Sequence, residues 1–119
     1  MALTFLKVTI SNPANPKKAK ALEFLIDSGA TYSVVPEKIL KGLGVKPEDE
    51  REFILANGQT MVRKLGGVRY QYDGHLGFAP VIFGEKDDSL LLGITTLEAM
   101  GMALNPLKRE LMPLPMILG

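Results

Sequence analysis

Cysteine and tryptophan are absent from this 119-residue chain, and histidine occurs once. Without cysteine there is no disulfide, no thiol nucleophile and no thiolate metal site. With a single His, a zinc site would have to lean on carboxylates, against that ion's usual ligand set. No metal and no other cofactor is therefore expected. A Ser/His/Asp triad would need His75 as its base, and His75 lies in "YDGH", which reads as a solvated turn. Charge of one sign is also lacking: 14 basic residues stand against 13 acidic, with no basic stripe interleaved with aromatics. That argues against a nucleic-acid partner. No apolar run approaches the ~18 residues of a membrane span, so no membrane partner is expected. "MALTFLKVTI" has no basic leader and Lys7 interrupts its apolar run, so it does not read as a signal peptide. The expectation is a cytoplasmic protein.

What is present describes a folded globular chain, 46% hydrophobic and 23% charged, of a length suited to one domain across residues 1–119. "LTFLKVTI" (3–10) reads as a first strand and "AKALEFLID" (19–27) as a second, with "SNPANPKK" as the loop between them. Ser33 to Gly44 reads as a short helix with Pro36 in its first turn, and "VKPEDERE" as a charged surface loop. Asn57-Gly58 in "FILANGQTMVRKL" (53–65) predicts a hairpin with a type I′ turn, which needs positive φ at both central residues. Two more strands follow over 66–84 with a turn near Asp73-Gly74. "SLLLG" is a short apolar strand, "TTLEAMG" (95–101) a helix capped by Thr95 or Thr96, and the tail supplies one or two final strands. The fold class is mainly β, with about seven strands and one or two helices. Propensity alone leaves its topology open.

One stretch does not fit a purely structural account. "LEFLIDSGATYSVVP" (22–36) runs its most apolar strand into a carboxylate. A carboxylate there can be held by backbone N–H groups, with Gly29 permitting a tight turn and Ser28 offering a hydroxyl to a neighbouring loop. The bland reading is a strand-ending Asx turn. An Asp-Ser-Gly triplet by itself does not decide between them.

The ordered set does more. "LIDSGA", a hairpin around "ANGQ", a strand pair about "GH", the apolar-apolar-Gly of "LLLG" (90–93) and a closing helix together resemble the retropepsin family, the small retroviral-type aspartic proteases and their cellular single-domain relatives. The resemblance implies a small, closed-barrel-like acid protease fold that works as a homodimer. It implies that Asp27 is the catalytic aspartate and that Ser28 bonds across to the partner subunit's equivalent loop. Gly29 would support the carboxylate, with Ala30 completing the loop. Leu91, Leu92 and Gly93 would pack around it, and Asn57 and Gly58 would form the tip of a flap spanning about 53–67. Viral members carry an Arg after the apolar-apolar-Gly motif, paired with an Asp two residues beyond the Ala. Here these positions are Ile94 and Thr31, so both halves of the pair are replaced together, which avoids an orphaned charge. Pepsin-like relatives carry Ser or Thr at the position of Ala30. Losing that hydroxyl implies a mildly acidic optimum.

Only one D-[ST]-G occurs in the chain. The chemistry needs two carboxylates sharing a proton, so the expected enzyme is a homodimer acting on extended or unfolded peptide, with apolar residues beside the scissile bond. Pro113 and Pro115 would remove donors from one edge of any strand through 111–118. Two other readings stand beside this one. The first is a catalytically silent dimerisation or peptide-binding module on the same fold. The second is an unrelated β fold with a chance turn, which would place "LLG" far from Asp27.

Overall fold

The computed structural model describes residues 3–105, 107–108 and 110–114. Its strands are β1 (Phe5–Asn12), β2 (Asn15–Ile26), β3 (Ser33–Pro36), β4 (Asp49–Ile54), β5 (Thr60–Tyr72), β6 (His75–Gly84), β7 (Leu91–Leu92), β8 (Met102–Asn105) and β9 (Glu110–Pro113). Two short helices, α1 (Glu37–Gly42) and α2 (Ile94–Ala99), complete it. The fold is mainly β, as the sequence predicts.

Alternation builds the core. Val8 and Ile10 of β1, Leu22, Phe24 and Ile26 of β2, Val68 and Tyr70 of β5, and Ala79, Val81 and Phe83 of β6 all point inward and are buried. Hydrogen-bonded neighbours run β1-β2-β7-β3-β6-β5-β4, and β1 also pairs with β5 through Ile10 and Tyr70. Six strands thus close into a ring, while β4 hangs outside it on β5. β7 is inserted between β2, to which it runs parallel, and β3, to which it runs antiparallel.

Several local expectations are corrected. The loop "SNPANPKK" shrinks to a turn at Pro13-Ala14, because Asn12 Oδ1 accepts the Ala14 N–H at 2.9 Å and the strands continue on both sides. Pro16, which has no N–H to donate, falls where the β1–β2 register slips. Ser33–Pro36 is a strand parallel to β6 rather than the start of a helix. Its two valines suit a pleated, covered position, and Pro36, at ψ 133°, precedes the helix instead of sitting in its first turn. Residues 49–52 of the charged segment belong to β4, paired with β5 from Asp49↔Leu65 to Ile54↔Thr60. An outlying strand with little burial carries no apolar period to betray it.

The turn types are also exchanged. Gly58 has φ +85°, but Asn57 does not share the positive φ a type I′ turn demands; the Gly58 N–H closes back on Leu55 O at 2.9 Å, making a longer loop over 55–59. Asp73 (φ 47°) and Gly74 (φ 81°) supply the two consecutive positive values instead. His75 opens β6 half-buried, with Nδ1 3.2 Å from Met100 O, so it is not a free turn residue. Gly93, not a threonine, caps α2. In the tail, β8 pairs with β9, Pro113 lying opposite Met102; Pro115 and residues 115–118 lie outside the described residues.

α2 packs against β6 at Gly77, where an added Cβ would stand 2.7 Å from Ala99 C and 2.8 Å from Met100 N. Backbone on the other side cannot swing away as a side chain could. Gly77→Ala is expected to lower unfolding free energy by about 1–3 kcal/mol in urea denaturation. An unchanged midpoint would mean that α2 does not dock here.

Candidate active site

Asp27 follows directly on β2, half-buried, at the point where the ring is completed by the short β7. Its N–H donates to Leu92 O at 3.0 Å, continuing the β2–β7 pairing by one residue. The Gly29 N–H donates to Asp27 Oδ1 at 2.9 Å, and the Ala30 N–H to Asp27 O at 3.1 Å. The carboxylate is therefore fixed by its own tight turn. Gly29 is not a positive-φ residue; its lack of a side chain matters because a Cβ would stand 3.3 Å from Asp27 Oδ1. Ser28 lies exposed at the turn.

The far side of the loop is clamped as well. Ile94 N–H donates to Ala30 O at 2.8 Å and Thr95 N–H to Thr31 O at 3.1 Å. For this the chain must pass very close at Gly93, where a Cβ would stand 2.6 Å from Tyr32 C, 2.7 Å from Tyr32 O and 2.9 Å from Ala30 O. That contact gives a physical reason for the glycine after two apolar residues. Leu92 is fully buried and Leu91 half-buried. The reading that required "LLG" to lie far from Asp27 is overturned by the Asp27–Leu92 bond.

Sequence reasoning missed a buried polar cluster beneath this clamp. Ser33 Oγ accepts the Gly93 N–H at 3.0 Å and lies 2.5 Å from Thr96 Oγ1. Tyr70, fully buried, donates its hydroxyl to Pro80 O at 3.0 Å and also meets Thr96 and Ser33. Burial pushes the Tyr70 hydroxyl well above the usual phenol range, against the smaller opposing pull of those two hydroxyls. It stays a neutral donor. Only the inward alternation of Val68 and Tyr70 hinted at this; nothing in "SVVP" or "TTLE" marks the two hydroxyls as partners.

Beside the loop opens a cleft of about 590 Å³, floored by Val34, Ile82 and Leu91 and roofed by Phe53, Leu55 and Met61 of the β4–β5 hairpin. Gly29 and Ala30 line it and Asp27 borders it only through them. The predicted flap tip, Asn57 and Gly58, is exposed at the hairpin's far end, outside this cleft. Arg51 and Arg63 are direct cross-strand partners at the hairpin's base. Arg51 bonds Asp49 Oδ2 at 3.0 Å and Tyr32 Oη at 2.9 Å, while Arg63 forks onto Asp88 at 2.8 and 3.2 Å. Tyr32 also meets Phe53 edge-on, ring centres 6.2 Å apart. Among the described residues no group of three or more His, Asp or Glu could hold a metal, and no helix is long and apolar enough to cross a membrane.

The family model described as "gag-polyprotein putative aspartyl protease" matches residues 17–99. The chain belongs to this aspartyl protease family. The match runs from within β2 to the end of α2, so the Asp27 loop, the β4–β5 hairpin and the "LLG" strand all fall inside the aspartyl protease region. No curated protein matches the chain.

The cleft wall is held by charge that acid removes. The Arg63 guanidinium, with help from the Glu85 N–H at 2.7 Å, keeps the Asp88 carboxyl below its ordinary value of 3.8. A depressed folded value means stability that is present above the unfolded value and lost as pH falls through the folded one. Asp88→Asn should therefore cost about 1–2 kcal/mol near neutrality, with the gap to wild type closing below about pH 4. Urea midpoints across that range test it; a gap that is constant with pH would contradict the ion-pair account.

Proposed function

We propose that this protein is a homodimeric aspartic endopeptidase, one domain across residues 1–119, in which Asp27 of each chain supplies half of the catalytic pair. The observation that carries this reading is the Asp27 loop. A carboxylate at the end of an apolar strand is bonded at its N–H to Leu92 O and at Oδ1 to the Gly29 N–H, beside a cleft roofed by a hairpin, in a chain of this family. One ionised Asp27 would take a proton from a water that attacks the peptide carbonyl. The other, protonated, would donate to the forming oxyanion, and the proton taken from the water would pass to the leaving nitrogen as the C–N bond breaks.

The chain carries one Asp-Ser-Gly, so the second carboxylate must come from a second chain. Ser28, exposed at the turn, is free to bond across to it. Leu3, Phe5 and Ile94 are exposed apolar side chains that favour association, and Ile94 stands where viral members carry their Arg. Asn57 and Gly58 would tip a flap over a bound peptide, and Leu91, Leu92 and Gly93 would hold the loop in place. No cofactor is called for, and the workplace we propose is the cytoplasm.

A diverse unfolded peptide pool, offered between about pH 3 and about pH 7, tests the reading. Wild type should cleave with a mildly acidic optimum, since Ala30 offers no hydroxyl to favour the ionised carboxylate. In the dilute limit the rate should rise with the square of enzyme concentration. Asp27→Asn should lose at least about a thousandfold in rate. Equal cleavage by both would place the chemistry elsewhere. A stable dimer that cuts nothing would favour the silent peptide-binding module.

A further inference from the structure

Among the described residues, Asp87 and Asp88 are the only acidic or basic side chains that line the cleft. Its carboxylates, Asp87 and Asp88, are consecutive in the loop between β6 and β7, while Val34, Phe53, Ile82 and Leu91 make most of the remaining wall apolar. The fold uses only one of the two. Asp88 is engaged by the fork from Arg63 and by the Glu85 N–H. Asp87 is exposed and, among the described residues, accepts no hydrogen bond and makes no ion pair.

The cations around it do not cancel it. Arg63 is shared between Asp88 and Glu85, with Glu85 Oε2 3.6 Å away, and Arg51 is held by Asp49. Lys86, the chain neighbour, forms no ion pair with Asp87 among the described residues. Glu85, Lys86, Asp87 and Asp88 with Arg63 leave one net negative charge beside an apolar trough.

We propose that the cleft selects an extended peptide in which a lysine or arginine side chain reaches Asp87 while neighbouring apolar side chains fill the trough. This rests on the peptidase reading for its consequence, though not for the binding itself. In a two-fold dimer Asp87 is repeated, so the preferred substrate carries a basic residue on each flank of an apolar stretch. An exposed pair of this kind is worth about threefold to fivefold in affinity per charge at low salt. The preference shrinks as salt rises, because an exposed pair is screened.

The test uses the full chain carrying Asp27→Asn, so that peptide is bound and not consumed. Fluorescent peptides sharing one apolar stretch and flanked by Lys, Gln or Glu are titrated by anisotropy at low and high salt. The expected order of affinity is Lys, then Gln, then Glu, with the spread compressed at high salt. Adding Asp87→Asn should level the series, and Asp87→Lys should invert it. Thermal unfolding of Asp87→Asn should stay close to that of its parent, since the side chain supports nothing in the fold. Equal affinities, no measurable binding, or a Lys preference that survives Asp87→Asn would each overturn the proposal. A Lys preference that follows Asp87, together with a wild type that cuts none of the peptides, would uphold this charge rule and remove the peptidase reading instead.

Discussion

The hydrogen bond from the Asp27 N–H to Leu92 O, 3.0 Å long, is the constraint on which the rest of the molecule turns. It can form only if β7, two residues long, is threaded between β2 and β3. That threading brings the chain so near Tyr32 and Ala30 that only glycine fits at position 93. Gly93 in turn begins α2, whose Thr96 reaches back to Ser33 beneath the loop. A buried hydroxyl pair left without partners would cost about 1–3 kcal/mol, so the cluster ties helix, strand and loop into one unit. The position of a single carboxylate is thereby over-determined from both sides of its turn.

The hairpin over the cleft meets a different demand. Arg51 and Arg63 face each other across β4 and β5, an arrangement of like charges that is unfavourable in isolation. The fold relieves it by drawing the two guanidinium groups apart. One goes to Asp49 and Tyr32, beside the Asp27 loop; the other goes to Asp88, on the opposite wall. The repulsive pair becomes two tethers at the base of the hairpin. Beyond it, residues 54–60 are exposed and held only by the pairing of the two strands and the closing turn. The base is fixed while the tip is left to solvent.

This division also marks what could be read from the sequence. β1, β2, β5 and β6 were legible as strands because their β-branched and aromatic runs lie between turn signals. The Asp27 loop and "LLG" were legible as an ordered pair of motifs, and the structure joins them. β4 was not legible, since a strand outside the ring needs no apolar face, and its charges read as loop. Ser33–Pro36 reads as helix from the sequence because four residues are too few for either period to declare itself. Asn57-Gly58 predicts a type I′ turn that does not form, because the dipeptide permits two positive φ values without requiring them. Nor could propensity find Ser33, Thr96 and Tyr70: hydroxyls far apart in sequence become partners only after the ring closes.

The two aspartates that line the cleft are identical neighbours that receive opposite treatment. Asp88 lies within reach of Arg63 and of a backbone N–H, so its charge is neutralised and spent on holding the wall. Asp87, one residue away, has neither and is left exposed to solvent in the lining of an apolar trough. A carboxylate that stabilised the fold would have been given a partner, as its neighbour was. An unpaired one costs little while water covers it, and it interacts most strongly with a cation that displaces part of that water. The same loop therefore treats one residue type in two ways: it anchors the roof through Asp88 and leaves Asp87 a solvated charge that, under the proposal, an incoming cation would meet.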